Sequence, residues 1–159
     1  MSARLQRVAL ALAVSLALAE GHATETPSPL VVAAKRGDHA SALALVEQGA
    51  AVDEPEADGT TALHWAVQAA DGTLVAALLE AGAQPNVANR YGMTPQHLAA
   101  INGDAETLRL LLAAGADANA TLPEGETVLL SAARTGSAEA IGVLVEAGAK
   151  LDSRENWYG

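Results

Sequence analysis

The sequence contains no cysteine and no phenylalanine, and only two tryptophans and two tyrosines occur among its 159 residues. The absence of cysteine excludes disulfides, thiolate nucleophiles and cysteine-ligated zinc or iron–sulfur clusters. Basic residues are also scarce, because nine Lys and Arg stand against 19 Asp and Glu, a formal charge of −10. Phosphate binding needs a basic surface with about 6–10 Lys or Arg contacts. Nucleic acid is therefore not expected as a partner.

Half of the residues are nevertheless hydrophobic, and with so few aromatics this apolar content comes mainly from Ala, Leu and Val. A hydrophobic content of 50% with 18% charged residues argues against disorder. Small aliphatic side chains are typical of short, closely packed helices. The composition predicts an acidic helical protein.

Residues 1–19 have the pattern of a secretory signal peptide. Two arginines lie among the first seven residues, and an apolar run follows over 8–19. This run is shorter than the roughly 20 apolar residues that span a bilayer, and small residues precede a cleavage position after Ala19. Cleavage after Ala23 is an alternative, and a buried helix of the domain is the competing interpretation. We expect a periplasmic or secreted protein with a linker at 24–27.

From residue 28 onward the sequence repeats itself every 33 residues. One ladder of glycines follows a Leu- or Val-rich stretch and consists of Gly49, Gly82, Gly115 and Gly148. A ladder of hydroxyl residues consists of Ser28, Thr61, Thr94 and Thr127. A third ladder consists of Gly37, Gly103 and Gly136, with Ala70 in the remaining position. Three ladders in phase predict a solenoid of four units, at 28–60, 61–93, 94–126 and 127–159.

Each unit has the signals of two helices and an extended loop. The hydroxyl ladder predicts helix N-caps whose oxygen accepts a hydrogen bond from a backbone N–H, and Pro29 and Pro95 suit the first helical position. In the third unit Gly103 closes the first helix, and a second helix is expected over 104–114. About ten turn-prone residues then predict an extended excursion with a tight turn. Such a unit needs stacked neighbours to bury its apolar face.

The sequence resembles the ankyrin-repeat family over residues 28–159. The Thr-Pro-Leu-His motif of that family is matched by Thr61-Ala62-Leu63-His64 and Thr94-Pro95-Gln96-His97, with degraded forms at Ser28 and Thr127. The Leu-Leu-x-x-Gly-Ala-x-x-Asn motif appears four times, ending at Asp53, Asn86, Asn119 and Asp152. The resemblance implies an all-α repeat solenoid, an ankyrin-like stack of helix-turn-helix units joined by β-hairpin-like loops.

Two residues depart from the family pattern. Gln96 occupies a position where the family usually has Leu, and Ala70 replaces the glycine of the turn. Because Asp71-Gly72 follows Ala70, we predict that the turn moves toward Gly72. Ala70 would then keep a right-handed conformation, which avoids a cost of about 1 kcal/mol.

The last unit looks like an internal repeat. Gly159 corresponds to the loop glycine of the earlier units, so the chain stops inside a hairpin. Terminal repeats normally carry a polar cap, yet 143–145 is an apolar Val-Leu-Val sequence. We expect the chain to be a fragment of a longer array. The alternatives are a natural short form or a dimer that covers this face.

Catalytic patterns are weak. His64 and His97 occupy equivalent positions, but a metal or general-base role needs further converging ligands. The resemblance instead implies that each histidine bonds to the Thr of its own motif and to neighbouring backbone. An acidic group at 53–58 fails the calcium-loop spacing and is interpreted as a solvated hairpin. There is no nucleophile elbow or phosphate loop. We expect no enzyme, no cofactor and no metal, with a histidine-based metal-dependent hydrolase as the remote alternative.

The resemblance implies a non-catalytic protein–protein interaction scaffold that meets its partner through hairpin tips and the exposed ends of the first helices. Arg90, Tyr91 and Met93 are the strongest candidates, because aromatic, Arg and Met side chains are enriched at interfaces. The other predicted contacts are Gln68, Asp58, Ile101, Asn102, Glu124, Glu126, Arg134, Trp157 and Tyr158. The equivalent positions of the first unit hold Lys35 and Arg36, and Trp65 is expected to pack inside its helix.

The net charge bears on the choice of partner. An acid-rich surface favours a protein partner with basic groups, bound in a salt-sensitive way. The alternative function is a dedicated accessory that stabilises a periplasmic enzyme or toxin system. The partner's identity is not contained in the sequence, because a solenoid face is decorated individually in each protein.

Overall fold

A computed structural model of the chain describes residues 27–151. Within this range the chain forms four successive helix pairs, and its residues form no strand. The first helices are α1 (Pro29–Arg36), α3 (Ala62–Gln68), α5 (Pro95–Asn102) and α7 (Val128–Thr135). The second helices are α2 (His39–Glu47), α4 (Gly72–Glu80), α6 (Ala105–Ala113) and α8 (Ala138–Glu146). Each first helix begins 33 residues after the previous one, so the fold is an all-α repeat solenoid.

The first helices begin at the predicted hydroxyl residues, with Pro29 and Pro95 at the start of α1 and α5. The predicted cap hydrogen bond forms at Thr127, whose Oγ1 accepts from the Leu130 N–H at 3.2 Å. At Thr61 and Thr94 the hydroxyl pairs with the histidine ring three residues later, and Thr61 with His64 also forms a capping box. All four hydroxyl residues are N-caps, as predicted, but Ser28 and Thr94 make no side-chain hydrogen bond to the helix backbone.

The second helices are capped by their own side chains. Asp104 accepts from the Thr107 N–H at 3.0 Å, so α6 begins at Ala105 rather than at Asp104. The equivalent N-caps of the other second helices, which make the same contact, are Asp38, Asp71 and Ser137. A carboxylate also interacts favourably with the positive end of the helix dipole.

The turn at Ala70 is not displaced, so the prediction that it moves toward Gly72 is wrong. Ala70 has φ 53°, in the left-handed region, and Gly72 is already the first residue of α4. Several contacts hold the turn in place, among them the 2.6 Å contact of Asp71 Oδ2 with His39 Nδ1 and two further hydrogen bonds of Asp71. The Asp71 N–H donates to Ala66 O at 3.0 Å, and the Asp71 carboxylate accepts from the Leu74 N–H at 3.0 Å. Moving the turn would break both of these hydrogen bonds of Asp71, and their loss would cost more free energy than the strain at Ala70.

The core runs along the stack between the two layers of helices. Each first helix packs on its own second helix and on the first helix of the next repeat. Leu63, Leu78, Leu111 and Leu144 are fully buried, and small alanines lie between them. At the end of the described range the core is less covered, because Val145 is 41% exposed.

The loops between helix pairs are hairpin-like in their hydrogen bonds. In the first loop the Glu56 N–H donates to Thr60 O at 2.8 Å, and the bond recurs from Asn89 to Met93 and from Leu122 to Glu126. One isolated antiparallel bridge, Thr121–Thr127, is the only β pairing among the described residues. We call the five-residue turns at 56–60, 89–93 and 122–126 the tips.

The ladder of Asp and Asn residues ties each loop to the next. Asp53 Oδ1 accepts from the Gln84 N–H at 2.9 Å, and Asn86 Oδ1 accepts from the Asp117 N–H at 2.8 Å. Asn119 Oδ1 repeats the contact with the Lys150 N–H at 2.9 Å. Asp53 is thus a structural residue of the acidic hairpin.

Candidate protein-binding surface

The second tip presents the strongest predicted contacts on an ordered turn. Asn89 Oδ1 accepts from the Tyr91 N–H at 3.0 Å and from the Met93 N–H at 3.1 Å, which fixes the backbone of the tip. Tyr91 is 63% exposed, Arg90 is exposed and Met93 is half-buried. The Arg90 guanidinium lies 5.9 Å from the centroid of the Tyr91 ring, within the range of a cation–π contact.

Asp58 and Arg90 join the first and second tips. The Arg90 N–H donates to Asp58 O at 2.8 Å, and Arg90 Nη2 donates to Ala57 O at 3.4 Å. The hydrogen bonds from Thr60, aided by the nearby charge of Arg90, hold the pKa of Asp58 below its usual value. Asp58 therefore stays ionised and contributes to a connected polar surface across two tips.

At the third tip one predicted contact residue is exposed to solvent, and two others form an ion pair with each other. Glu124 is exposed. Glu126 Oε1 accepts from the Ser131 hydroxyl at 2.8 Å and Glu126 Oε2 accepts from Arg134 Nη1 at 2.9 Å. The Glu126 side chain is only 16% exposed, against 60% for Arg134. The pair accordingly presents mainly its positive member to solvent.

The ends of the first helices carry the remaining predicted contacts. Gln68 and Ile101 occupy equivalent positions and are both exposed, Ile101 to 47%. Asn102 is exposed but its Nδ2 donates to Val67 O at 3.1 Å, so this amide also ties α5 to α3. Trp157 and Tyr158 lie outside the described residues.

Trp65 packs partly against the core, as expected, but it also lines this surface, a position that was not predicted. It is half-buried, and its indole N–H donates to Glu56 Oε2 at 2.9 Å. Lys35 Nζ lies 2.8 Å from Glu56 Oε1 and 4.8 Å from the centroid of the indole ring. The available signal was the helical period: Trp65 precedes Gln68 by three residues, so both lie on one face of α3.

A shallow open groove of about 310 Å³ lies between the ends of α1 and α3, beside Trp65. Its lining residues are Ala34, Lys35, Arg36, Gly37, Trp65, Gln68 and Ala69. The lining combines small residues and the indole ring with two basic side chains, of which Lys35 lies over the ring. This surface is called the α1–α3 groove below.

The two motif histidines make structural hydrogen bonds. The Thr61 N–H donates to His64 Nδ1 at 3.2 Å, so this nitrogen is the acceptor and Nε2–H donates to Met93 O at 3.0 Å. His97 Nδ1 lies 2.8 Å from Thr94 Oγ1. Burial lowers the pKa of both rings. Both imidazoles are therefore neutral near pH 7 and bonded to the threonine of their motif, although His97 Nε2 is buried without a hydrogen-bond partner. Residues 27–151 hold no cluster of three or more possible metal ligands.

The comparison with known families agrees with the helix pairs. The family model of ankyrin repeats (3 copies) matches residues 6–89 and 67–155, which together span most of the chain. No curated protein matches the chain. Within residues 27–151, no helix has the length and apolar character needed to cross a bilayer. The chain belongs to the ankyrin-repeat family, whose repeats serve as scaffolds for protein–protein interaction.

Proposed function

We propose that the chain is an exported, non-catalytic scaffold that binds a protein partner through its tips and first-helix ends. The exposure of Tyr91 on an ordered tip carries this proposal. A large aromatic side chain in water favours burial against a partner. A tip whose backbone is already fixed by Asn89 loses little further freedom on binding, which favours affinity.

A site-specific photo-crosslinker tests the binding surface. A benzoylphenylalanine at position 91 is expected to form a discrete adduct with a partner in cells. The same residue at the exposed position 113, at the end of α6 on the second-helix side, is the matched control. Equal adducts at both positions, or adducts only at 113, would contradict the proposed surface. In an affinity pull-down without the crosslinker, the double change Arg90→Ala/Tyr91→Ala should abolish capture of the same partner.

The crosslinking experiment also separates the scaffold from a dedicated accessory of a periplasmic enzyme or toxin system. An accessory gives one adduct of fixed stoichiometry, whereas a general scaffold gives several. The second helices expose mainly carboxylates, among them Glu106 and Glu139, with Arg109 held between these two. Basic groups of a partner would be attracted to that side.

Export rests on the basic start and the apolar run at 1–19. Amino-terminal sequencing of the protein from a periplasmic fraction should begin at Glu20, or at Thr24 for the alternative cleavage. A protein that retains Met1 and stays in the cytoplasm would refute export. That result would leave the proposed binding surface untouched.

A further inference from the structure

The α1–α3 groove is open because of one residue difference between repeats. Between the second and third repeats, Asn102 reaches back and donates to Val67 O, which closes the junction. Ala69 occupies the position of Asn102 one repeat earlier, 33 residues before it, and Ala34 occupies the position of Val67. Alanine has no polar group to make this contact, so the junction between α1 and α3 is left unfilled.

The exposed charge beside the groove is positive although the protein is acidic. Lys35 is paired with Glu56, but its side chain is 49% exposed while that of Glu56 is only 14% exposed. Arg36 is exposed and forms no ion pair with the described residues. A charged ligand that enters the groove meets these two cations, and the Glu56 carboxylate that pairs with Lys35 is largely covered. Asp38 and Asp71 lie just beyond the lining residues Gly37 and Ala69 and cap the second helices.

The floor of the groove offers an apolar contact next to these cations. The indole ring of Trp65 is held in place by its hydrogen bond to Glu56, and Ala34 and Ala69 leave space beside it. A fixed aromatic surface with adjacent small residues is the kind of site that accepts one bulky apolar side chain of a partner. Ile101 lies one repeat further along at the position equivalent to Gln68, where it extends the apolar surface.

We infer that the α1–α3 groove binds a short acidic segment of a protein partner, with an apolar side chain against Trp65 and carboxylates beside Lys35 and Arg36. This inference rests on the proposed scaffold function and specifies the chemistry of one contact. It differs from the partner expected from the net charge, because the carboxylates of the second helices face another side of the stack. Lys35 and Arg36 also complement the negative end of the α1 dipole. If this were their only role, neutralising them would leave peptide binding unchanged.

A phage-displayed library of random linear peptides, panned on the full chain, tests the inference. We expect enrichment of peptides that combine Asp or Glu with Leu, Ile or an aromatic residue. The change Arg36→Gln should weaken their binding about tenfold, a typical loss for one interface anchor. The matched control Arg109→Gln removes the same charge from the second-helix side and should leave binding unchanged.

Filling the groove provides a second, independent change. Ala69→Gln adds bulk to the groove, and Ala81→Gln is its control, since both alanines are exposed C-cap residues with nearly the same backbone angles. Ala69→Gln should abolish peptide binding, and Ala81→Gln should not. Equal thermal stability of the two variants would show that both remain folded.

Three results would overturn the inference. They are enrichment of basic peptides, enrichment of acidic peptides whose binding survives both Arg36→Gln and Ala69→Gln, and no enrichment at all. The crosslinking at position 91 is a separate measurement. An adduct there would still support the scaffold function if the groove bound no peptide. Absence of that adduct would instead refute the proposed function itself.

Discussion

Ala70 is the clearest residue at which local preference and repeat geometry conflict. Its φ of 53° lies where the other first helices end in Gly37, Gly103 and Gly136, at φ 69°, 66° and 71°. The sequence alone identified Ala70 as the exception but not its conformation. The reason is that the strain of one residue is local, whereas Asp71, which holds the turn, also contacts His39 of the preceding repeat.

Ala70→Gly should therefore raise the free energy of unfolding. Relief of the left-handed strain favours the folded state by about 1–2 kcal/mol, and the greater freedom of glycine in the unfolded chain offsets part of it. A net gain of about 1 kcal/mol is expected, measured by urea denaturation. The control Ala69→Gly changes a right-handed C-cap residue and should destabilise. If Ala70→Gly were less stable than the unchanged protein, Ala70 would not be strained.

Gln96 is a second residue that lowers stability for a reason that only the structure shows. It is fully buried, its Nε2 donates to Asp117 O, and its Oε1 has no hydrogen-bond partner. The equivalent positions in the first two repeats hold Leu30 and Leu63, both fully buried. The family pattern revealed the substitution, but the unpartnered oxygen follows from packing against the next repeat.

Gln96→Leu is expected to stabilise the protein by about 1 kcal/mol, because it removes a buried unsatisfied oxygen and adds apolar burial. The midpoint of urea unfolding measures the gain. Gln68→Leu, at an exposed helix position, serves as the control and should change stability by less than about 0.5 kcal/mol. If Gln96→Leu instead lowers the midpoint, the hydrogen bond from Gln96 to Asp117 O stabilises the protein by more than the burial of the unpartnered Gln96 Oε1 destabilises it.

At the scale of elements, neighbouring tips are joined in two different ways. The first two tips share the hydrogen bond from the Arg90 N–H to Asp58 O. The equivalent residue of the third tip is Pro123, which has no N–H to donate. A Cβ on Gly92 would lie 2.4 Å from Pro123 Cδ. The second and third tips are therefore held by close contact of a proline ring against a glycine.

Gly92→Ala should destabilise this junction strongly. The change combines strain at φ 75° with a clash against Pro123. Gly115→Ala is the matched control, because Gly115 has φ 92° and no atom within 4 Å of an added Cβ. We expect Gly92→Ala to cost about 1–3 kcal/mol more than Gly115→Ala, the usual range for overpacking. Equal losses in thermal denaturation would mean that the tips separate freely.

Helix boundaries were predictable from the sequence and tip contacts were not. The hydroxyl and glycine ladders mark where helices begin and end, since capping depends on residues close in the chain. The contacts of Asn89, Glu126 and Trp65 join residues of different turns or repeats. Their geometry depends on how neighbouring units stack, which the 33-residue period alone does not describe.

Across the whole molecule, a buried histidine connects the second repeat to the tip before the third. His64 Nε2 donates to Met93 O, in the tip that precedes α5. Because burial lowers the pKa of His64 and His97 from 6.5, the unfolded chain binds protons before the folded chain does. Their stabilising effect is complete above about pH 6.5 and is lost as the pH falls toward the folded-state values.

The free energy of unfolding should accordingly fall as the pH is lowered below about 6.5, measured by urea denaturation at each pH. His64→Leu, which places the residue of the equivalent position Leu130 in α3, should reduce this dependence. His39→Gln removes the contact of an exposed histidine with Asp71 Oδ2 but leaves both buried rings, so it should retain this dependence. A stability that is flat over this range, or that rises on acidification, would show that the buried rings are not neutral.

Trp65 makes the groove optically distinct from the rest of the molecule. The chain has two tryptophans, so a Trp157→Phe variant would keep a single indole fluorophore. That indole lies against Lys35 and Glu56, and its emission depends on the polarity and charge around the ring. An occupant of the groove would shift the emission without any attached dye, while a partner confined to the Tyr91 tip would leave the spectrum unchanged. The protein thus carries its own reporter for which part of its surface is in use.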